Sequence, residues 1–184
     1  RDVKVLLGVS GGIAVYKACE IVRRLKDGGQ HEVQVVMTES AGRFVTPMTF
    51  EVLSGRPVAT SLWETSDQRI EHIALARWPD VVAIAPATAQ TLAKLAHGFA
   101  DDLLSTVVLA SRPDVPVVVA PAMNTAMWEN PLVQANVATL EALPRFRFVS
   151  PVAKTLACGE TGVGALADPG PILAAILESG PPAA

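Results

Sequence analysis

Val117-Val118-Val119-Ala120-Pro121-Ala122-Met123-Asn124-Thr125-Ala126-Met127-Trp128 is the stretch from which the rest of the chain is read. Four apolar residues without a polar interruption predict a strand buried on both faces, the kind found in parallel sheets. The run then ends in an uncharged amide, Asn124, set between two thioethers and an indole. In an open α/β sheet, ligands occupy the crevice beyond the carboxyl ends of the strands. Asn124 is therefore placed to offer a donor and an acceptor to something bound there. The alternative is an ordinary loop over the core.

Other segments repeat the same grammar on both sides of it. Val3-Lys4-Val5-Leu6-Leu7-Gly8-Val9 predicts a first buried strand, and Ser10-Gly11-Gly12 a turn. Residues 13–26 then place Ile13, Tyr16, Cys19, Ile21, Val22 and Leu25 at helical spacing, and Asp27-Gly28-Gly29 ends the helix. Residues 33–37 predict a second strand. Thr38-Glu39-Ser40 leads into a helix that Gly42 and Pro47 shorten, and Pro47 suits the start of another. Residues 63–69 are polar and irregular, which predicts a loop. Residues 81–85 predict a strand, and Pro86-Ala87-Thr88-Ala89-Gln90-Thr91 turns into a helix ending near His97-Gly98. Residues 101–111 predict another helix, 131–143 a further one, 146–149 a last main strand, and 171–177 a short closing helix. Residues 151–168 are glycine-rich and predict a loop.

Strands alternating with helices predict an α/β fold in three layers: a flavodoxin- or Rossmann-like parallel sheet of about six strands with helices on both faces. With 184 residues, no internal repeat and no linker, residues 1–184 are expected to form one domain. Half of the residues are hydrophobic and the mean hydropathy is +0.36. Such an apolar chain is expected to bury surface against copies of itself. A net charge of −3 with no like-charge block argues against nucleic acid and against a polybasic membrane patch. No apolar run reaches the roughly 18 residues of a spanning helix, and no signal peptide is visible. The chain begins at Arg1, as a trimmed or partial chain would. Cys19 and Cys158 do not form a metal-type pair. Cys19 is expected to be a small buried hydrophobe, and a disulfide between the two is disfavoured in a cytoplasmic chain.

Four features carry chemistry. Gly8-Val9-Ser10-Gly11-Gly12 joins the first strand to the first helix, where glycines admit a ligand to the backbone and a helix N-terminus favours phosphate. It is neither a G-x-G-x-x-G fingerprint nor a P-loop; a mononucleotide such as FMN fits it better, and a plain tight turn fits it as well. Hydroxyls recur at later strand ends, in Thr38 and Ser40, in Thr88 and Thr91, and in Ser105-Thr106. Each alone reads as a helix cap; several at one sheet edge favour a phosphate- and ribityl-binding rim. His72 lies in Ile70-Glu71-His72-Ile73-Ala74-Leu75, a setting equally suited to a structural histidine. His31 and His97 are expected at the solvent side of element ends. Cys158 lies in Ala157-Cys158-Gly159-Glu160-Thr161-Gly162-Val163-Gly164, where glycines suit a flap that closes over a substrate.

Taken together the chain resembles the phosphopantothenoylcysteine decarboxylases, of the flavin-containing cysteine decarboxylase family, from Val5 to Pro169. The family's Pro-x-Met-Asn-x-x-Met-Trp motif is matched completely at 121–128, its His-Ile-x-Leu context at 72–75, and its Ala-Cys-Gly-Glu/Asp flap motif at 157–160. The resemblance implies FMN held by Ser10, Gly11, Gly12, Thr38, Ser40, Thr88, Ala89, Gln90, Thr91 and Ala122. It implies His72, Asn124 and Cys158 as catalytic residues, and Asn124, Met123 and Arg77 as contacts to phosphopantothenoylcysteine. No metal is implied. It further implies homotrimers, often assembled into dodecamers, with FMN at a subunit boundary and His72 contributed across it. In bacteria a synthetase domain often follows, so the chain is expected to be either the free decarboxylase or the amino-terminal part of a longer protein.

In the reaction so implied, oxidising the thiol-bearing carbon to a thioaldehyde gives the electrons of the departing carboxylate a C=S group to enter. Flavin takes the hydride and later returns it, and Cys158 supplies the proton for that return. Three other readings compete. A peptidyl-cysteine decarboxylase that stops at the enethiol does not need Cys158. A flavin prenyltransferase should lack the 121–128 motif. A phosphatase-binding regulator usually has acidic tails or lost catalytic residues, and this chain has neither.

Overall fold

A computed structural model describes residues 2–63, 71–155, 157–159 and 161–181. Its elements follow in chain order: β1 (Lys4–Val9), α1 (Val15–Lys26), β2 (Glu32–Met37), α2 (Pro47–Ser54), α3 (Glu71–Arg77), β3 (Val81–Ala87), α4 (Ala89–His97), α5 (Leu103–Ala110), β4 (Val117–Pro121), α6 (Thr125–Trp128), α7 (Pro131–Glu141), β5 (Phe146–Phe148), β6 (Val152–Thr155), β7 (Thr161–Ala165) and α8 (Pro169–Ser179).

The central sheet has five strands in the order β2-β1-β3-β4-β5, and every neighbouring pair is parallel. This is the flavodoxin-like order, with its switch point between β1 and β3. Buried strand residues alternate between the two faces, as the pleat requires. Val5, Leu7 and Val9 of β1 join a core under α1, α2 and α8. Leu6 of β1, with Val82 and Ile84 of β3, joins a second core under α3, α4, α5 and α7. The three-layer expectation therefore holds, with one strand fewer in the main sheet than the six expected.

A second difference lies in residues 152–155 and 161–165, expected as loop. They form β6 and β7, an antiparallel ribbon separate from the sheet. Two helices also went unread, α3 and the one-turn α6. The closing helix is longer than the expected 171–177. Of the expected loop at 63–69, all but Trp63 lies outside the described residues. Helix ends obey local chemistry: Gly98 ends α4 at φ 70°, a left-handed conformation that glycine adopts without a side-chain clash.

Candidate functional site

A cavity of about 950 Å³ opens at the carboxyl edge of the sheet, across the β1/β3 switch point. This is near the upper end for small-molecule sites. Ser10, Gly11, Gly12, Thr38, Ser40, Thr88, Ala89, Gln90, Thr91, Ala122, Met123, Asn124 and Cys158 all line it.

The rim is built by loops in direct contact. Ser10, buried at the end of β1, donates its hydroxyl to Pro86 O at 2.7 Å and accepts from the Thr88 amide at 2.9 Å. Its oxygen thus ties the β1 loop to the β3 loop. A Cβ on Gly11 would strike the side chain and backbone of Ser40, so the β1 and β2 loops meet there with no space for a larger residue. The Val15 amide donates to Gly12 O, and the amides before it stand at the open N-terminus of α1. Thr88 caps α4 by accepting from the Thr91 amide and also pairs with the Thr91 hydroxyl. Thr38 accepts from the Ala41 amide at 3.3 Å. Ser105 and Thr106 do not join the rim; the N-cap of α5 is Asp102, to which the hydroxyls of both donate.

Asn124 lies three residues beyond the end of β4 and caps α6. Its Oδ1 accepts from the Met127 amide at 2.9 Å, which leaves Nδ2 outside the cap as a donor, suited to an anionic partner, and the second lone pair of Oδ1 as an acceptor. Beside it, Met123 N donates to Gly164 O at 2.9 Å, joining the β4 loop to β7. The turn between β6 and β7 carries exposed Cys158, followed by Gly159 at φ 86°. Neither cysteine is in a disulfide. Cys19 is half-buried, and burial pushes its thiol above the usual range.

One charged group on the wall went unread in the sequence. Lys94 Nζ lies 2.9 Å from Asp101 and 2.6 Å from Asp102, and all three line the cavity. Burial opposes the Lys94 charge, but the hydrogen bonds and charges of Asp102 and Asp101 outweigh it and hold the ammonium above the ordinary lysine range. Burial likewise opposes the Asp102 charge, and bonds from Lys94 and Ser105 outweigh it, holding the carboxyl below its ordinary range. A pair formed between α4 and the turn ahead of α5 leaves no periodic signal in the sequence. Lys17 and Lys154 also reach the cavity, Lys154 paired with Asp168 at 2.6 Å.

His72 and Arg77 are not brought to the cavity. Both lie on α3, which packs against α5, and neither lines the pocket of its own chain. Glu160 of the flap motif lies outside the described residues. Among the described residues, no group of His, Cys, Asp and Glu side chains is placed to hold a metal ion. No helix among them is long and apolar enough to cross a membrane.

The lining residues suit a phosphorylated flavin mononucleotide. Open helix amides and a glycine turn suit a phosphate, neutral hydroxyls suit a polyol chain, and the acidic pair is neutralised in part by Lys94.

Residues 1–179 match the protein family described as Flavoprotein. The chain is 47% identical over 176 residues to a probable phosphopantothenoylcysteine decarboxylase of Streptococcus mutans, covering 95% of this chain and 97% of that protein. It is 47% identical over 167 residues to the coenzyme A biosynthesis bifunctional protein CoaBC of Vibrio vulnificus. That match covers 90% of this chain but spans only 41% of the bifunctional protein. Among solved structures, a cysteine-to-serine mutant of a PPC decarboxylase, complexed with pantothenoylaminoethenethiol, superposes with a TM-score of 0.84 and 34% identity over 97% of this chain and 98% of that one. The FMN-dependent cysteine decarboxylase SpaF superposes with a TM-score of 0.82 and 35% identity over 96% of this chain and 97% of that one.

Proposed function

Because the chain belongs to the flavoprotein family, and within it to the phosphopantothenoylcysteine decarboxylases, we propose that it binds FMN in the switch-point cavity and decarboxylates 4'-phosphopantothenoylcysteine to 4'-phosphopantetheine. The observation that carries this reading is the convergence of thirteen residues singled out in the sequence on one cavity.

Ser10, Gly11 and Gly12, the hydroxyls of Thr38, Ser40, Thr88 and Thr91, and the backbone around Ala89, Gln90 and Ala122 would hold FMN. When bound, FMN supplies a hydride acceptor for the thiol-bearing carbon of the substrate and a hydride donor for its return. Asn124 Nδ2 donates to the substrate carboxylate and orients it, and that orientation is worth several kcal/mol. As carbon dioxide leaves, its bonding electrons enter the neighbouring C=S group, giving an enethiolate. Cys158 then supplies the proton that accompanies saturation of the enethiol. The aminoethenethiol complex of the cysteine-to-serine relative supports that assignment. Met123 packs beside the substrate chain.

His72, off the cavity of its own chain, serves the site of a neighbouring copy, and Arg77 on the same helix takes the substrate phosphate. A second copy also accounts for the exposed apolar side chains Ile13, Tyr16, Phe44, Met48 and Val52, of which Ile13 and Tyr16 stand at the cavity itself. The assembly is a trimer or a dodecamer built from trimers. The small-molecule substrate and the reaction are those of a cytoplasmic enzyme.

Incubation of the FMN-loaded protein with phosphopantothenoylcysteine tests the reading, scored by carbon dioxide and product mass. Release of carbon dioxide with the saturated amine thiol as product is expected. A product two hydrogens lighter would favour a cysteine decarboxylase that stops at the enethiol, and no carbon dioxide from this substrate would overturn the proposal.

A further inference from the structure

The ribbon that carries Cys158 meets the Asn124 loop through two glycines. Met123 N donates to Gly164 O, and Gly164 adopts φ 153° with Met123 O beneath it. A Cβ there would strike Met123 O and approach Asn124 C at 3.2 Å. That is backbone against backbone, and neither side has a rotamer with which to yield. Two residues earlier along β7, a Cβ on Gly162 would strike Thr125 Oγ1 and lie 3.0 Å from Thr125 Cγ2 and 3.1 Å from its Cβ. Rotation about χ1 of Thr125 moves its hydroxyl and methyl, but its Cβ stays 3.1 Å from the added carbon, so the contact persists in every rotamer. The Thr125 hydroxyl is buried and has no hydrogen-bond partner among the described residues. It acts there by its bulk.

We propose that Gly162 and Gly164 are positioning residues that seat the thiol-bearing ribbon directly on residues 123–125, fixing the register between Cys158 and Asn124. This rests on the assignment of Cys158 as proton donor. The Asn124 loop is the fixed partner: it continues β4, and Ala122 N donates to Ala87 O at 3.1 Å. The ribbon is the yielding one, since two strands outside a sheet have little stability of their own. A wedge at Gly162 therefore displaces the thiol while leaving the amide in place, so it spares decarboxylation and impairs saturation.

The test uses the FMN-loaded holoenzyme with Gly162→Ala, Thr125→Ala and the double variant, two readouts and melting curves. In Gly162→Ala the ratio of unsaturated to saturated product should rise by about tenfold, with carbon dioxide release changed far less, since a displacement of an ångström at a reacting group costs on that order or more. The rate at which iodoacetamide alkylates Cys158, followed by peptide mass, should change with it. Adding Thr125→Ala, which clears the space the new methyl needs, should restore both. Parent-like partition and alkylation in Gly162→Ala would overturn the proposal, as would a change that Thr125→Ala does not relieve. Should Gly162→Ala fail to fold, recovery of fold, partition and alkylation in the double variant supports the contact, and failure of that recovery sinks it. If the parent releases no carbon dioxide from phosphopantothenoylcysteine, the functional reading fails, while the alkylation measurement still decides the contact.

Discussion

The Ser10 hydroxyl sits between two halves of the rim, donating to Pro86 O at 2.7 Å and accepting from the Thr88 amide at 2.9 Å. The two residues are 78 positions apart in sequence, so one oxygen sets where the helix-capping Thr88 stands relative to the glycine turn.

Ser10→Ala takes the acceptor from the Thr88 amide, while Pro86 O keeps the backbone amide of residue 10, which donates to it at 3.2 Å. The expected loss is about 1–3 kcal/mol of stability, read from the urea midpoint, together with faster loss of FMN on gel filtration. Unchanged stability would mean that water replaces the hydroxyl.

Asn124→Asp keeps an oxygen for the Met127 amide, so α6 and the melting temperature should be preserved. It replaces the Nδ2 donor with a negative charge facing the substrate carboxylate. Carbon dioxide release should fall by about 100-fold or more. An Asp variant as active as the parent would remove Asn124 from carboxylate binding.

Cys158→Ser should still release carbon dioxide but accumulate the unsaturated enethiol, identified by product mass, with the flavin bleached to its reduced spectrum. Saturated product at the parent rate would refute the proton-donor role.

If His72 serves a neighbouring site, two inactive proteins should complement each other. Co-assembly of His72→Asn with Asn124→Asp subunits should give some sites that draw an intact His72 and an intact Asn124 from different chains. Decarboxylation well above either homogeneous variant is expected, and its absence would return His72 to its own chain.

The Lys94–Asp102 pair predicts a stability plateau. Asp102, with its pKa lowered from 3.8, contributes fully above that value and loses its contribution as pH falls through the lower folded value. Lys94, raised from 10.5, contributes fully below that value and loses its contribution as pH rises through the higher folded value. Urea midpoints against pH should be flat between these limits as far as this pair is concerned. In Lys94→Met, burial of Asp102 goes unopposed by the ammonium, and the acid limb should move to higher pH.

The strands and rim were legible because buried parallel strands announce themselves as apolar runs and helix starts by their hydroxyls. Val81-Val82-Ala83-Ile84 and Val117-Val118-Val119-Ala120 needed no context. The ribbon was illegible for the opposite reason. Thr161-Gly162-Val163-Gly164-Ala165 carries glycines where a strand usually packs side chains, and it is extended by antiparallel pairing with Val152–Thr155, a partner that no local pattern names. Helix α3 is short. The charge of Lys94 is answered by Asp101 and Asp102 just ahead of α5, and no spacing rule reports that. Asn124 stood out in the sequence, but the bond from the Met127 amide to its Oδ1, which leaves Nδ2 outside the cap, did not. The distance of His72 from its own cavity was invisible to any local pattern.

The ribbon is rooted through its glycines and otherwise stands clear of the sheet, with the thiol at its turn. It is thus an interchangeable part. Evolution, or an engineer, could swap the turn for one of different length or chemistry and retune what the enzyme releases, without disturbing the hydrophobic layers that keep the chain folded. The roots admit no such swap, which gives a practical rule for chimeras: cut outside Gly162, never through it.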